Sequence, residues 1–363
     1  MHDMWKATVK AKKRTFMQSV FYVLLRAISV IYGILSYMPG ILVALKLRNR
    51  KVYTRKVILV GNITVGGTGK TPFTEELARR LTKAGKNVLI VEKGYKRKKK
   101  KAIETVSDGT AIYLNAREAG DEPFMIARNV PDAKVLVSSD KVRGLEYGIR
   151  KFLPDVAILD DGFQKRHFME NASTIVLIDA LNPFGQDRIF PAGYLREPLR
   201  ALSDAENIII TNSNLADQES MAKTEERISK LAPDARVFLA EHEPRNFYSL
   251  KDHEKHPLEK FTGKRVILLS GLGNPEGFEK TVSLLSAKVC ASLRKPDHHK
   301  YKKRELKAVI SLLEKTGAEA VITTEKDEVR INRRHIGDAP FYALKIGMNV
   351  KNMKELEKRL KVA

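Results

Sequence analysis

The chain has 363 residues, with 66 Lys and Arg against 43 Asp and Glu, for a formal charge of +23. Hydrophobic residues at 43% exclude a disordered chain, and 22 Gly with 14 Pro exclude a collagen-like or low-complexity one. One cysteine, Cys290, excludes a disulfide framework or a metal site built from several thiolates, and it fits a reducing compartment. At about 150 residues per domain the length predicts about two domains. The basic balance asks for a polyanionic partner: nucleic acid, anionic lipid headgroups or a phosphorylated substrate.

Residues 27–45 carry no charge, and at about 1.5 Å per residue this run just reaches the roughly 30 Å of a bilayer's hydrocarbon. Ser19, Tyr22, Arg26, Ser29, Gly33, Ser36 and Gly40 recur at spacings of three and four, giving one small or polar face on an otherwise apolar helix. That stripe suits an interfacial helix, or one packed on protein, at least as well as a helix wrapped in lipid. Both flanks are basic, with Lys10, Lys12, Lys13 and Arg14 before the run and Lys46, Arg48, Arg50 and Lys51 after it, so both ends suit one anionic surface. The run is too long for a signal peptide's apolar region and no small-residue cleavage pattern follows, which predicts an uncleaved anchor within residues 1–50. A buried core helix is the alternative. Pro39-Gly40 is expected to bend the element.

From residue 51 short apolar runs alternate with helical patterns. Strands are predicted at 57–60, 88–91, 134–137, 156–159, 174–178 and 207–210, and helices at 71–84, 118–127 and 141–152. This alternation reads as a mainly parallel α/β sheet covered by helices, over residues 51–240. A charged stretch at 241–262 reads as a linker. A second, smaller α/β lobe follows at 263–363, with strands at 266–270, 320–323 and 341–344 and helices at 275–287, 302–315 and 351–362. The basic run Lys96–Lys101 reads as a solvated loop, with contact to phosphate or membrane as its alternative.

The first strand runs into GNITVGGTGKTP, residues 61–72. A phosphate-cradling loop needs glycines that let backbone N–H groups close around phosphates, a lysine for the β/γ oxygens, a hydroxyl for Mg²⁺ and a helix N-terminus behind. Gly66, Gly67, Gly69, Lys70 and Thr71 supply these in order, although Thr64 stands where the usual pattern opens with glycine. The strand at 156–159 then delivers Asp160 and Asp161 to the carboxyl end of the sheet, where an acid can hold Mg²⁺ directly or through water. Asp121 and Glu122, before Pro123, either serve chemistry or cap a helix.

Seven segments in order resemble the tetraacyldisaccharide 4′-kinase family: GNITVGGTGKTP at 61–72, GDEPFMIA at 120–127, DDGFQ at 160–164, FPAGYLREPLRAL at 190–202, SGLGNPEGF at 270–278, PDHHKY at 296–301 and TTEKDEVR at 323–330. The family shares the threonine in place of the loop's first glycine. The resemblance implies a P-loop fold and transfer of the ATP γ-phosphate to the 4′ hydroxyl of tetraacyldisaccharide 1-phosphate, giving lipid IVA at the cytoplasmic face of the bacterial inner membrane. It implies nucleotide contacts from Asn62, Thr64, Val65, Gly66, Gly67, Thr68, Gly69, Lys70 and Thr71, and Mg²⁺ held among Thr71, Glu122 and Asp160 or Asp161. Asp121 would take the hydroxyl proton, oriented by His298 in preference to His299, and Arg196 would clamp phosphate or the transition state. No nucleic acid and no obligate protein partner is expected.

Two places depart from the family pattern. Lys165 stands after DDGFQ where the family usually has histidine, and a lysine cannot act as a neutral acceptor without a large pKa shift. Glu92-Lys93-Gly94-Tyr95-Lys96 replaces the usual serine-arginine-glycine-tyrosine-glycine turn. A phosphate-loop ATPase or GTPase acting on nucleic acid or as a switch is the alternative class. Against it, the strand ending at Thr211-Asn212 continues Ser213-Asn214 and lacks a guanine-reading lysine, and aromatics are only 7%. A membrane scaffold without catalysis is the third reading, and it requires Asp121 to be dispensable.

Overall fold

The computed structural model describes residues 2–11, 13–47, 49–95, 97, 101–272 and 275–362. Lys12 and Arg48 of the basic flanks, Lys96, Lys98, Lys99 and Lys100 of the basic run, and Gly273 and Asn274 of SGLGNPEGF lie outside the described residues. The chain forms two units, one from residues 1–70, 153–241 and 350–363, the other from 71–152 and 242–349.

In the first unit the strands Lys56–Gly61, Val156–Leu159, Ser173–Asp179 and Asn207–Thr211 and the start of Arg236–Ser249 all run parallel. Lys56–Gly61 lies between Val156–Leu159 and Ser173–Asp179, with Ile58 opposite both Ile158 and Ser173. Parallel strands covered on both faces have no solvent side, which is why VILV and VAIL read as unbroken apolar runs and are fully buried. One core gathers Ile63, Phe163, Val176, Ile178, Leu195 and Leu202 directly beneath the phosphate-loop region. Each such side chain, once buried, contributes about 1.5–3 kcal/mol.

The same unit carries the N-terminal helices His2–Lys10 and Phe16–Ala44. Thr15 caps the longer one in a capping box with Gln18, and the helix continues through Gly40. The predicted stripe is largely a protein-packing face. Ser29 Oγ donates to Ile189 O at 2.8 Å and accepts from the Ala192 N–H at 2.8 Å, a Cβ on Gly33 would lie 3.2 Å from Ile189, and one on Gly40 would lie 3.4 Å from His167. Tyr22 packs with Trp5, Leu25 and Tyr194, whereas Ser19 and Arg26 of the stripe are exposed. The remaining face presents Val23, Leu24, Ile28, Ile31, Ile34 and Leu35 to solvent, all more than half exposed.

In the second unit Val88–Glu92 pairs parallel with Lys134–Ser138, which pairs antiparallel with Ile103–Asp108. Arg265–Ser270 lies between Lys288–Arg294 and Ala320–Thr324, and Phe341–Val350 follows, all parallel. Several boundaries differ from expectation. The helix expected at 118–127 is two, Ala116–Ala119 and Asp121–Asn129, because Gly120 sits at φ +99° between them. The charged stretch expected as linker holds the end of the strand Arg236–Ser249, which pairs with Lys255–His256. The helix expected over 275–287 stops at Leu284, and the strand Lys288–Arg294 takes up the chain.

Candidate active site

Two groups of side chains answer the sequence expectations, one in each unit. In the first, the buried strand Lys56–Gly61 enters the loop before the helix Lys70–Lys83. Backbone pairing fixes the loop's course: the Val65 N–H donates to Tyr194 O at 2.6 Å and the Arg196 N–H donates to Ile63 O at 2.7 Å. Gly66 and Gly69 adopt φ +126° and +83°, values a side chain resists. A Cβ on Gly66 or Gly67 would meet nothing within 4 Å, so the loop is open where a phosphate would sit. Asn62 Nδ2 donates to Thr64 O at 2.8 Å while its Oδ1 is buried without a hydrogen-bond partner, as is Thr68 Oγ1. Val65 is exposed, and Thr71 is the second residue of the helix.

The strand Val156–Leu159 ends at Asp160, which is 1% exposed and accepts the Asp161 N–H at 2.9 Å. Asp161 turns outward in the left-handed region at φ +50°. Arg196 Nη1 donates to its Oδ1 and Oδ2 at 2.8 and 3.1 Å, and Lys70 Nζ lies 3.5 Å from Oδ1. Lys70, Asp161 and Arg196 are therefore one cluster. The pairing of Ile63 with Arg196 is what aims the guanidinium, since the LREP segment runs beside the loop. Lys165 lies in the turn Phe163–Phe168, with Nζ 5.8 Å from the Phe168 ring.

In the second unit Asp121 opens the helix Asp121–Asn129. Arg330 Nε donates to Asp121 Oδ2 at 2.7 Å, and His298 Nδ1 lies 3.5 Å from the same oxygen. Burial pushes the Asp121 carboxyl up, but the contact with His298 and the Arg330 charge outweigh it and hold the group below its ordinary value. Tyr95 packs beside His298, with ring centroids 5.1 Å apart, so the altered turn at 92–96 meets the histidine directly. His299 is elsewhere: its Nε2 lies 3.0 Å from the Glu305 carboxylate. Glu122 is paired with Lys326 at 2.9 Å. Burial lowers the Lys326 pKa, yet Glu122 and Asp297 raise it overall.

Arg330, Lys326 and Asp327 join this group without having stood out in the sequence. The segment TTEKDEVR did contain their signal, because an acid three residues before an arginine places both on one helical face. Among the described residues no group of three or more His, Cys, Asp or Glu is arranged to hold a metal ion. Mg²⁺ bound with nucleotide keeps waters and phosphate oxygens and needs only one or two protein ligands.

The model of the family described as tetraacyldisaccharide-1-P 4′-kinase matches residues 21–363. The chain is 37% identical over 315 residues to the tetraacyldisaccharide 4′-kinase of Elusimicrobium minutum, covering 85% of this chain and 83% of that protein. It is 35% identical over 351 residues to the one from Syntrophus aciditrophicus, covering 94% and 92%. Among solved structures it is similar to the "apo" form of LpxK from Aquifex aeolicus in complex with ATP, with a TM-score of 0.72, 28% identity, and 94% of this chain and 99% of that one covered.

Proposed function

Because the chain belongs to the tetraacyldisaccharide 4′-kinase family, we propose that its phosphate loop, its aspartate pair and the Asp121–His298 pair divide the work of phosphoryl transfer. The enzyme phosphorylates the 4′ hydroxyl of tetraacyldisaccharide 1-phosphate with ATP, forming lipid IVA in lipid A biosynthesis. Phosphoryl transfer asks for positioning and charge neutralisation more than covalent chemistry. The loop residues Asn62 to Thr71 bind the nucleotide phosphates, with the buried Thr68 hydroxyl as a donor and Lys70 on the β/γ oxygens. Arg196, placed by the loop itself, neutralises charge that develops on the transferred group.

Thr71 with Asp160 or Asp161 would hold Mg²⁺, and the ion would neutralise phosphate charge. Glu122 is tied to Lys326 and shapes the surroundings of Asp121. Asp121 takes the proton of the acceptor hydroxyl as the oxygen–phosphorus bond forms and the bond to the ADP oxygen breaks.

The enzyme meets its lipid at the membrane surface, which we place at the cytoplasmic face of the inner membrane. The helix Phe16–Ala44 is long and apolar enough to cross a bilayer by length and composition. Its contacts argue for lying flat, however, because Ser29, Gly33 and Gly40 rest on residues 189–192 and His167. A face packed on protein over that length cannot also be wrapped in lipid, so the exposed apolar face is the one that enters the membrane.

The observation that carries the catalytic reading is the convergence of Lys70 and Arg196 on Asp161 beside an open glycine loop. Its test is transfer of labelled γ-phosphate from ATP to tetraacyldisaccharide 1-phosphate in detergent micelles by wild type, Lys70→Ala and Asp121→Ala. Loss of transfer in both folded variants supports the reading, and ATP hydrolysis without lipid labelling by wild type overturns it.

A further inference from the structure

Arg330 has the geometry of an organiser. Its side chain is only 4% exposed, yet it reaches groups from four segments: Asp121 Oδ2 at 2.7 Å, His298 Nδ1 at 3.1 Å, Asp327 Oδ1 at 3.3 Å and Gly271 O at 3.4 Å. Asp327 is fully buried and is itself held by the Tyr301 hydroxyl at 3.0 Å, the Gly271 N–H at 3.0 Å and the Thr324 hydroxyl at 2.7 Å. The guanidinium thus sits in a frame that leaves it little freedom. A buried cation so placed, with its acidic neighbours Asp121 and Asp327, is balanced rather than stranded.

A guanidinium has five N–H donors and no acceptor, so Arg330 Nε donates to Asp121 Oδ2 while Nη2 lies 3.1 Å from His298 Nδ1. At 3.5 Å that ring nitrogen is the more distant of the carboxylate's two neighbours. Asp121 is oriented through Oδ2 by Arg330, and its Oδ1 is left for a hydroxyl.

We propose that Arg330 is a positioning residue for phosphoryl transfer: it clamps Asp121 through Oδ2, holds the His298 ring beside it, and so presents Asp121 Oδ1 to the acceptor hydroxyl. This rests on Asp121 as the proton acceptor. The clamp works by orientation, which suits a reaction in which the hydroxyl is aimed before its proton leaves. It also accounts for the work done by Thr324 and Asp327 in TTEKDEVR, Tyr301 in PDHHKY and Gly271 in SGLG.

The test uses the full-length enzyme in micelles with ATP and tetraacyldisaccharide 1-phosphate, comparing Arg330→Gln and Arg330→Lys. Arg330→Gln is expected to lower kcat by about a hundredfold, with KM for ATP within about twofold. Arg330→Lys keeps the charge but cannot span Asp121 and His298 together, so its kcat is expected to fall by about tenfold. ¹⁵N-detected imidazole spectra should show the His298 ring nitrogens shifted in both variants relative to wild type. Should Arg330→Gln fail to fold, the Lys variant carries the test alone. A Lys variant with wild-type kcat and an unchanged His298 imidazole spectrum overturns the proposal. Full activity in Asp121→Asn would instead overturn the proton-acceptor reading on which it rests.

Discussion

Arg196 donates to both oxygens of Asp161, at 2.8 and 3.1 Å, and Lys70 stands 3.5 Å from the same carboxylate. Two cations suited to a triphosphate therefore share one aspartate. The aspartate holds them in place, with one guanidinium nitrogen, Nη1, making both contacts, and phosphate oxygens accept from the same donors. The cost of ordering these long side chains is met before the nucleotide arrives.

This arrangement makes Arg196→Ala a test of charge stabilisation rather than of binding alone. The substitution should lower kcat by about a thousandfold, while KM for ATP moves by less than about threefold. Arg196→Lys should recover little, because an ammonium lacks the guanidinium's planar fork of donors for phosphate oxygens. Steady-state kinetics at saturating lipid decide it, and a wild-type kcat in the alanine variant would remove Arg196 from the reaction.

Asp121→Asn should reduce kcat by about a hundredfold to ten-thousandfold with ATP affinity retained, as measured by calorimetry. The group's pKa is depressed: burial works upward, and the His298 contact and Arg330 charge work downward and prevail. Asp121 is therefore ionised throughout the neutral range, and the activity it supports is lost only as pH falls through a value below the ordinary carboxylate figure of about 3.9. A kcat/KM profile with no acid limb between about pH 8 and pH 5 is expected, and a limb centred near pH 6.5 would assign the proton to another group.

A different carboxyl titrates the other way. Glu75 lies on the helix behind the phosphate loop, and its Oε1 is buried without a hydrogen-bond partner while Asn129 Nδ2 donates to Oε2 at 3.1 Å. Burial, with the Glu325 charge adding to it, pushes the group up to about 8 against the opposing pull of Lys345, Asn129 and Arg128. A carboxyl raised on folding contributes stability that is complete below its unfolded value of about 4.3. That contribution then drains away as pH rises toward about 8. Glu75→Gln should flatten the dependence of Tm on pH over this window and leave the variant more stable than wild type near pH 8. Parallel Tm curves for the two proteins would refute the assignment.

The phosphate loop and the aspartate pair were legible because each is local. A buried strand, a glycine turn and a helix N-terminus follow one another in residues 56–83, and four apolar residues deliver Asp160. The clamp on Asp121 was not legible, since Arg330 lies 209 positions away and no periodicity links the two. The strands Arg236–Ser249 and Lys288–Arg294 escaped for a different reason. Lys288–Arg294 is exposed over most of its length, and in Arg236–Ser249 the four apolar residues 237–240 give way to a charged, partly exposed stretch, so neither is apolar along its length as a doubly covered strand is. Gly120 hid a helix boundary of functional weight, because a single glycine in a helical pattern does not say whether it breaks the helix.

The helix Phe16–Ala44 offers a membrane test that separates lying flat from crossing. Leu24 and Ile31 are 58% and 60% exposed, whereas Ser29 is buried with two hydrogen bonds to the 189–192 segment. The pair Leu24→Glu and Ile31→Glu removes about 1.5–3 kcal/mol of apolar transfer at each position. The affinity for anionic vesicles, read by co-sedimentation, should fall by at least about a hundredfold. Exposed substitutions leave packing alone, so the thermal stability should change by no more than about 0.5 kcal/mol. Ser29→Leu should do the reverse, because a larger apolar side chain at that contact leaves the Ala192 N–H unpaired and forces the helix off its seat, lowering stability by about 1–3 kcal/mol. A crossing helix would need its whole circumference to tolerate lipid. Vesicle binding that survives both glutamates, or a Ser29→Leu protein as stable as wild type, would show that the helix does not lie between this body and the membrane.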